Sequence, residues 1–199
     1  MQTEYSNMKK LSTCLFLILF SFSAPSFADD IRDFQIEGIS IGDSLLDYMS
    51  EEEIKEIQRK PANKKIKYWR ISYRKNLKTY DAVQIWWDGK DKNYKIASLG
   101  GIIEFDNDMN NCKKKQNEIT IDIQNSIKNL RLNKQTGQLS QDKDGNFYQS
   151  ALIFENGDII NIQCYEFSKP YKNKHNYVDN LKVMIVPKKF DDHYQEAYK

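Results

Sequence analysis

The chain has 199 residues, of which 40% are hydrophobic and 13% aromatic, enough apolar material for one core and too much for a wholly disordered protein. Its 30 basic and 28 acidic residues leave a formal charge of +2 at pH 7. This balance lacks the basic excess that is typical of nucleic-acid-binding proteins. We therefore expect one folded domain that does not bind nucleic acid.

The amino-terminal segment is typical of a cleaved secretory signal peptide. Its features are a positive pair (Lys9, Lys10), an apolar run (11–22) and a small-x-small cleavage site (Ser26-Phe27-Ala28). The run is shorter than the roughly 20 apolar residues of a membrane-spanning helix. The sequence predicts a signal peptide at 1–28, begun at Met1 or Met8, and one exported domain at 29–199. That domain is expected in the periplasm or outside the cell, without a membrane span after signal cleavage.

Two cysteines, Cys112 and Cys164, remain in the predicted mature chain after Cys14 is removed with the signal. An even pair in an oxidising compartment predicts one disulfide bond. The two cysteines and the two histidines, His175 and His193, do not show the close ligand spacings of structural zinc sites. We therefore expect no metal and no cofactor.

The first half of the mature chain predicts an extended arm, two short helices and three strands. Asp43 or Ser44 is a candidate cap for the first helix, after the arm at 34–41. Ser50 and Glu53 form a capping-box pattern that predicts a second helix to about residue 58. Alternating apolar residues predict strands at 66–73, 82–88 and 94–105.

The second half predicts one long helix and three further strands. Apolar residues recur at three- and four-residue steps through 107–130, which indicates an amphipathic helix with Cys112 on its inward stripe. Residues 131–146 are polar and predict a surface loop, 169–176 a charged connection, and 190–199 a tail. The remaining segments predict a hairpin around Asn156-Gly157 (147–155 and 158–167) and a last strand (181–185).

These elements predict an α+β fold. An antiparallel sheet of about six strands is expected, with two short N-terminal helices and the long amphipathic helix between two groups of three strands. If the inward stripe of that helix meets the strand that carries Cys164, the disulfide joins helix and sheet.

One short motif indicates catalysis. Gly42-Asp43-Ser44-Leu45 resembles the first block of the GDSL esterases and lipases, and the resemblance implies Ser44 as nucleophile and His193 as its base. The later blocks depart from that family, since Phe190 stands where the aspartate before the histidine belongs. Those enzymes also use a parallel sheet, whereas this pattern predicts hairpins. An ester hydrolase is therefore the alternative interpretation, and the favoured one assigns no catalytic residue.

Aromatic residues supply a second candidate site. Trp86 and Trp87 are neighbours on a predicted strand, so if Trp87 points to the core then Trp86 lies on the opposite face. Tyr68 and Arg70 are expected on that same face. An exposed cluster of Trp, Tyr and Arg is typical of a binding surface, unless a helix or the terminal tail covers it.

Several longer segments resemble a set of small, uncharacterised exported bacterial proteins. They are the block from Ile36 to Tyr48, Ser50-x-Glu52-Glu53-Ile54, Cys112-Lys113-Lys114, Cys164-Tyr165-x-Phe167-Ser168 and Asp179-Asn180-Leu181-Lys182-Val183. This resemblance implies no activity, and it places the glycine-aspartate-serine string inside a larger block. The sequence favours a non-catalytic exported module that binds an envelope protein or a small ligand; a purely structural envelope component is a further alternative.

Overall fold

The computed structural model describes residues 30–199, and the predicted signal peptide lies outside the described residues. Within this range the strands form a seven-stranded antiparallel sheet and a two-stranded ribbon. None of the helices in this range is long and apolar enough to span a membrane. In chain order the elements are β1 (Gln35–Ile36), β2 (Ile39–Ser40), α1 (Glu51–Ile57), β3 (Tyr68–Tyr73), β4 (Ala82–Asp88), β5 (Ile96–Glu104), α2 (Met109–Ser126), β6 (Arg131–Leu139), β7 (Asp142–Ile153), β8 (Ile159–Glu166), α3 (Lys169–His175), β9 (Asn180–Val186) and α4 (Lys188–Ala197).

The large sheet consists of two meanders that meet at β9. Its strand order is β3-β4-β5-β9-β8-β7-β6, and every neighbouring pair is antiparallel. Short connections favour antiparallel pairing inside each meander. The last strand, β9, pairs with β5 on one side and β8 on the other, so it joins the two meanders into one sheet.

One face of the large sheet, here called the inner face, holds the hydrophobic core. The helix α2 packs on this face against β7, β8 and β9, while α1 and β1 pack near β3 and β5. Fully buried side chains from the sheet and the N-terminal segment meet there: Ile54, Ile71, Ile85, Leu99, Ile162 and Leu181. Their apolar area is removed from water, which is the main stabilising contribution in a domain of this kind.

The predicted cysteine pair is confirmed. Cys112 on α2 and Cys164 on β8 are fully buried at disulfide distance, with their Cα atoms 6.1 Å apart. One turn along the helix, Gln116 donates hydrogen bonds of 2.7 Å from Nε2 to the backbone oxygens of Tyr148 and Ile162. The long helix is therefore held on the sheet both covalently and by hydrogen bonds.

The predicted α+β class matches the structure, but the predicted layout of about six strands in two groups of three is wrong. The large sheet has seven strands, and β1 and β2 add a separate ribbon within residues 30–199. The additional strand is β6, in the segment that the sequence predicts to be a loop. It lies at the sheet edge with most of its side chains exposed, and Leu139 is its buried residue. A strand in this position shows no apolar alternation, so its sequence looks like that of a loop.

The prediction of two short N-terminal helices is also wrong. Ser44 caps a single 3₁₀ turn at Leu45–Asp47, and only the second predicted helix forms, as α1. Ser50 accepts a hydrogen bond from the Glu53 backbone N–H at 3.2 Å, and the Glu53 carboxylate accepts one from the Ser50 N–H at 3.0 Å. The two capping serines are so close in sequence that there is room for one turn between them.

Two further helices form where the sequence predicts a charged connection and a tail. α3 begins after Ser168, whose side chain accepts a hydrogen bond from the Tyr171 backbone N–H. α4 buries Phe190 and Ala197, although its N-cap, Pro187, makes no side-chain capping bond. Tertiary packing rather than a local cap therefore determines where α4 begins.

Candidate functional site

The face of the large sheet opposite α2, here called the outer face, differs chemically from the inner face. The helix α4 covers one end of it, where the ring of Phe190 lies 4.6 Å from that of Tyr68 and 6.1 Å from that of Trp86. Away from α4, polar side chains occupy most positions of the central strands. This partly covered polar surface is the candidate site.

Amide side chains lie next to one another across the outer face. The strand register aligns Gln135, Gln149 and Gln163 on three adjacent strands and places Lys182 of β9 next in the same line. We call these four residues the amide row. Since neighbouring residues on adjacent strands have Cβ atoms about 5 Å apart, the row presents a continuous series of hydrogen-bonding groups.

Lys182 lies at the end of this row in a partly buried position. Its Nζ atom is 4.9 Å from the centre of the Trp86 ring. The lysine side chain passes over Gly100, where an added Cβ would lie 3.4 Å from Cε of Lys182. Burial lowers the pKa of Lys182 to about 7, and the nearby positive charge of Arg70 adds to this effect.

Arg70 is the second cation of the site. It lies on β3 directly beside Trp86 of β4. Within residues 30–199, neither the Arg70 guanidinium nor the Lys182 ammonium forms an ion pair or a hydrogen bond. The carboxylate that lines the same hollow, Glu104, is paired with Arg74 at 2.9 Å. The site therefore brings an arginine and a lysine together without a protein counter-charge, and the lysine is only partly protonated near pH 7.

Two amide oxygens on the same face are buried without a hydrogen-bond partner. They are Oε1 of Gln84 on β4 and Oδ1 of Asn161 on β8. An unsatisfied buried acceptor costs about 1–3 kcal/mol. The carbonyl oxygen of Gln163, by contrast, is near two donors, the Tyr165 hydroxyl at 3.0 Å and Asn161 Nδ2 at 3.4 Å.

Arg70, Lys182 and Gln84 border a hollow of about 290 Å³, here called the outer groove. Its walls include Arg70, Gln84, Glu104, Tyr165, Asn180 and Lys182. A second hollow of about 490 Å³ lies beside α4, with Trp86, Gln149 and Asn161 in its lining. The two hollows have no lining residue in common, and each gives the outer face a concave surface on the scale of a small ligand.

The structure places the three predicted binding residues, Tyr68, Arg70 and Trp86, on one face of the sheet. Tyr68 and Trp86 are only 5% and 7% exposed, because α4 covers them. Of the three, Arg70 lines the outer groove, and the ring of Trp86 packs against the ammonium group of Lys182. Their role in binding stays a prediction.

The two residues of the esterase interpretation have separate contacts. The Ser44 hydroxyl donates to the backbone oxygen of Asn93 at 2.8 Å and accepts from the Leu46 N–H at 3.3 Å. His193, on α4, accepts from the Lys67 backbone N–H at Nε2, at 3.1 Å. In the described part of the chain no hydrogen bond joins Ser44 to a histidine. Both residues thus have structural hydrogen bonds.

Sequence reasoning missed Lys182 and the amide-bearing residues Gln84, Asn161 and Gln163. A partial signal exists, since polar residues alternate with apolar ones along 159–166 and 180–186. That alternation shows which side chains of a single strand lie on the same face of the sheet. It does not show that β9 lies beside β5, which brings Lys182 near Arg70.

No protein-family model matches the chain, and no curated protein or solved structure matches it. Among residues 30–199 no three His, Cys, Asp or Glu side chains are grouped in a way that would hold a metal ion. The functional argument therefore depends on the geometry of the outer face.

Proposed function

We propose that this protein is an exported, non-catalytic module that binds a ligand in the outer groove of its sheet. The export part of the proposal is supported by the predicted signal peptide and by the buried cysteine pair at disulfide distance. Periplasm and extracellular space are both compatible with these features.

The observation that carries the binding proposal is the pair of cations, Arg70 and Lys182, in one groove without a protein counter-charge. Two like charges near each other on a partly buried surface destabilise the folded state. A bound group of negative charge removes this repulsion. The unpartnered oxygen of Gln84 supports the same site, because a ligand that donates a hydrogen bond would satisfy it; the unpartnered oxygen of Asn161 belongs to the neighbouring hollow beside α4.

The non-catalytic part of the proposal is supported by the contacts of Ser44 and His193. A serine nucleophile needs a histidine within hydrogen-bond reach to take its proton. Here the Ser44 hydroxyl donates to a backbone oxygen and caps a turn, while Nε2 of His193 accepts a backbone N–H. These hydrogen bonds support structural roles for both residues.

Nuclear magnetic resonance titration of the isotope-labelled protein tests this proposal. Protein purified from the periplasm would be titrated with a library of small charged and neutral metabolites and of soluble cell-envelope fragments. We expect at least one compound to shift the amide resonances of β4, β5, β8 and β9 around the outer groove. Shifts confined to the inner face or to β1 and β2, or a library without any binder, would contradict the proposal.

Matched variants decide whether the groove itself is responsible. The double variant Arg70→Gln and Lys182→Met should lose the shifts, whereas Lys114→Met, which removes an exposed charge on α2, should keep them. If a partner protein rather than a small compound produces the outer-face shifts, the ligand class is wrong but the binding face is right. A double variant that binds as well as the wild type would contradict the assigned site.

A further inference from the structure

We propose that the outer groove binds an acidic saccharide, a sugar that carries a carboxylate, phosphate or sulfate group. Its charged group would lie between Arg70 and Lys182, and its hydroxyl groups would follow the amide row. This inference rests on the proposed function, because it names the ligand class for the same face.

The charge of the ligand follows from the two cations. Arg70 and Lys182 both border the groove, and its wall carboxylate, Glu104, is held in an ion pair with Arg74. An arginine fork and a lysine ammonium that line one groove are suited to the several oxygens of a carboxylate, phosphate or sulfate. An anion placed between them would favour the protonated form of Lys182.

The saccharide part follows from the amide row. Each glutamine in the row has a carbonyl oxygen that accepts and an NH₂ group that donates. Gln163 has donors at its oxygen, and no protein acceptor is found for its NH₂ group among residues 30–199. Sugar hydroxyls both donate and accept, so adjacent hydroxyls on a ring match adjacent amides on neighbouring strands.

The unpartnered oxygens further restrict the ligand. Gln84 Oε1 and Asn161 Oδ1 are acceptors, so they require a ligand that donates. A sulfate ion or a carboxylate has no such donors and inorganic phosphate has only one or two, whereas a sugar has several. Both oxygens are buried, so each amide group must rotate about its terminal torsion before its oxygen can meet a ligand. This torsion has a broad energy minimum.

The composition of the row argues against an apolar occupant. Gln135, Gln149, Gln163 and Lys182 follow one another without an apolar side chain between them. A lipid chain or an apolar peptide would leave these polar groups unsatisfied, with a desolvation penalty for each. The tyrosine rings at the end of the groove, Tyr165 and Tyr177, supply flat surfaces on which the C–H face of a sugar ring can pack.

Isothermal titration calorimetry with matched sugars tests the inference. One arm compares trigalacturonate with neutral galactotriose, a second compares glucose 6-phosphate with glucose, and a third uses inorganic phosphate, sulfate and acetate. We expect an acidic sugar to bind at least about 10-fold more tightly than its neutral counterpart and than any bare anion, because only the acidic sugar combines charged hydrogen bonds with hydroxyl contacts. The arm that binds identifies the anionic group.

Variants connect binding to the named residues. Arg70→Gln and Lys182→Met should each weaken binding of the acidic sugar about 10-fold or more, and Lys182→Arg should retain most of it. Gln149→Leu should weaken binding of the sugar but not of a bare anion. Gln124→Leu, on the exposed side of α2, is the matched control, and thermal melting would show that each variant is folded.

Several outcomes would overturn the inference. They are equal affinity for the acidic and the neutral sugar, equal affinity for the bare anion, full affinity in the Arg70 and Lys182 variants, and no binding of any probe. If the resonance titration still maps another ligand to the outer groove, the saccharide class is wrong and the proposed function stands. If that titration also finds no ligand on the outer face, both proposals are wrong.

Discussion

At the scale of single residues, Lys182 and Ser44 show how position determines the role of a side chain. Lys182 holds an ammonium group on a partly buried face, above Trp86 and near Arg70. Ser44 lies in a string that resembles an esterase motif, yet its hydroxyl is engaged by the backbone of Asn93 and Leu46. The first residue was not indicated by the sequence, and the second was indicated for a reaction that its contacts do not support.

Lys182 should make stability depend on pH. Its pKa is lowered from the ordinary value of 10.5 to about 7 in the folded chain. Between about pH 7 and about pH 10 the unfolded chain therefore binds the additional proton, and the free energy of unfolding should rise with pH by on the order of a few kcal/mol. Chemical denaturation at about pH 6, 8 and 10 measures this slope.

The variant Lys182→Met should show a flatter pH profile and a greater stability than the wild type below about pH 7. Neither the arginines nor Tyr165 at the groove should obscure the comparison of the two pH profiles. Arginine side chains stay protonated, and burial raises the pKa of Tyr165 to about 12. Glu104 is paired with Arg74. Parallel pH profiles for the two proteins would show that folding does not lower the pKa of Lys182.

Ser44→Ala should reduce stability and leave no catalytic activity to lose. Loss of a capping side chain costs about 0.5–2 kcal/mol, and the same hydroxyl also joins the N-terminal segment to Asn93. Urea denaturation measures the loss, with Ser140→Ala in an exposed turn as control. Hydrolysis of nitrophenyl esters by the wild type that disappears in Ser44→Ala would restore the esterase interpretation.

At the scale of elements, local sequence signals predicted those segments whose determinants are close together in the chain. The capping box of Ser50 and Glu53 and the Asn156-Gly157 turn between β7 and β8 both form as predicted. β6 and α4 were missed, because β6 is mostly polar and α4 begins after Pro187 without a capping side chain. β6 is held by pairing with the next strand, β7, whereas α4 packs on residues that are distant in sequence.

The disulfide bond between α2 and β8 should contribute strongly to the stability of the fold. Cys112 and Cys164 are 52 residues apart, and closing a loop of this length contributes about 4 kcal/mol on the chain-entropy model. We expect the double variant Cys112→Ala and Cys164→Ala to unfold at a lower urea concentration by about this free energy. Intact mass with and without reductant should differ by two hydrogens, and two free thiols in the purified protein would contradict the bond.

At the scale of the whole molecule, the insertion of β9 between β5 and β8 assembles the candidate site. Arg70 and Gln84 come from the first meander, Asn161 and Gln163 from the second, and Lys182 from the strand that joins them. α4 follows directly on β9 and covers one end of the same face. The groove is thus a product of the complete sheet and not of any single hairpin.

Export is the prediction for the chain as a whole. In a bacterial host the protein should be recovered from the periplasm with its amino terminus at Asp29, because the signal peptide is expected to be cleaved after Ala28. Terminal sequencing and intact mass measure the cleavage site. A variant with Leu17→Arg and Leu19→Arg in the apolar run should remain uncleaved in the cytoplasm; retention of the wild type there would contradict export.

By itself the sequence determined the α+β class, the cysteine pair, the capping box and the hairpin turn, because each depends on periodicity, on a pair of like residues or on groups a few positions apart. Only the tertiary structure decided the seven-strand order, the edge strand β6, the cover formed by α4 and the groove around Lys182. The reason is physical: strand alternation determines which side chains share a face within one strand. Which strands become neighbours is determined by long-range pairing and burial, and this pairing brings the two unpaired cations together.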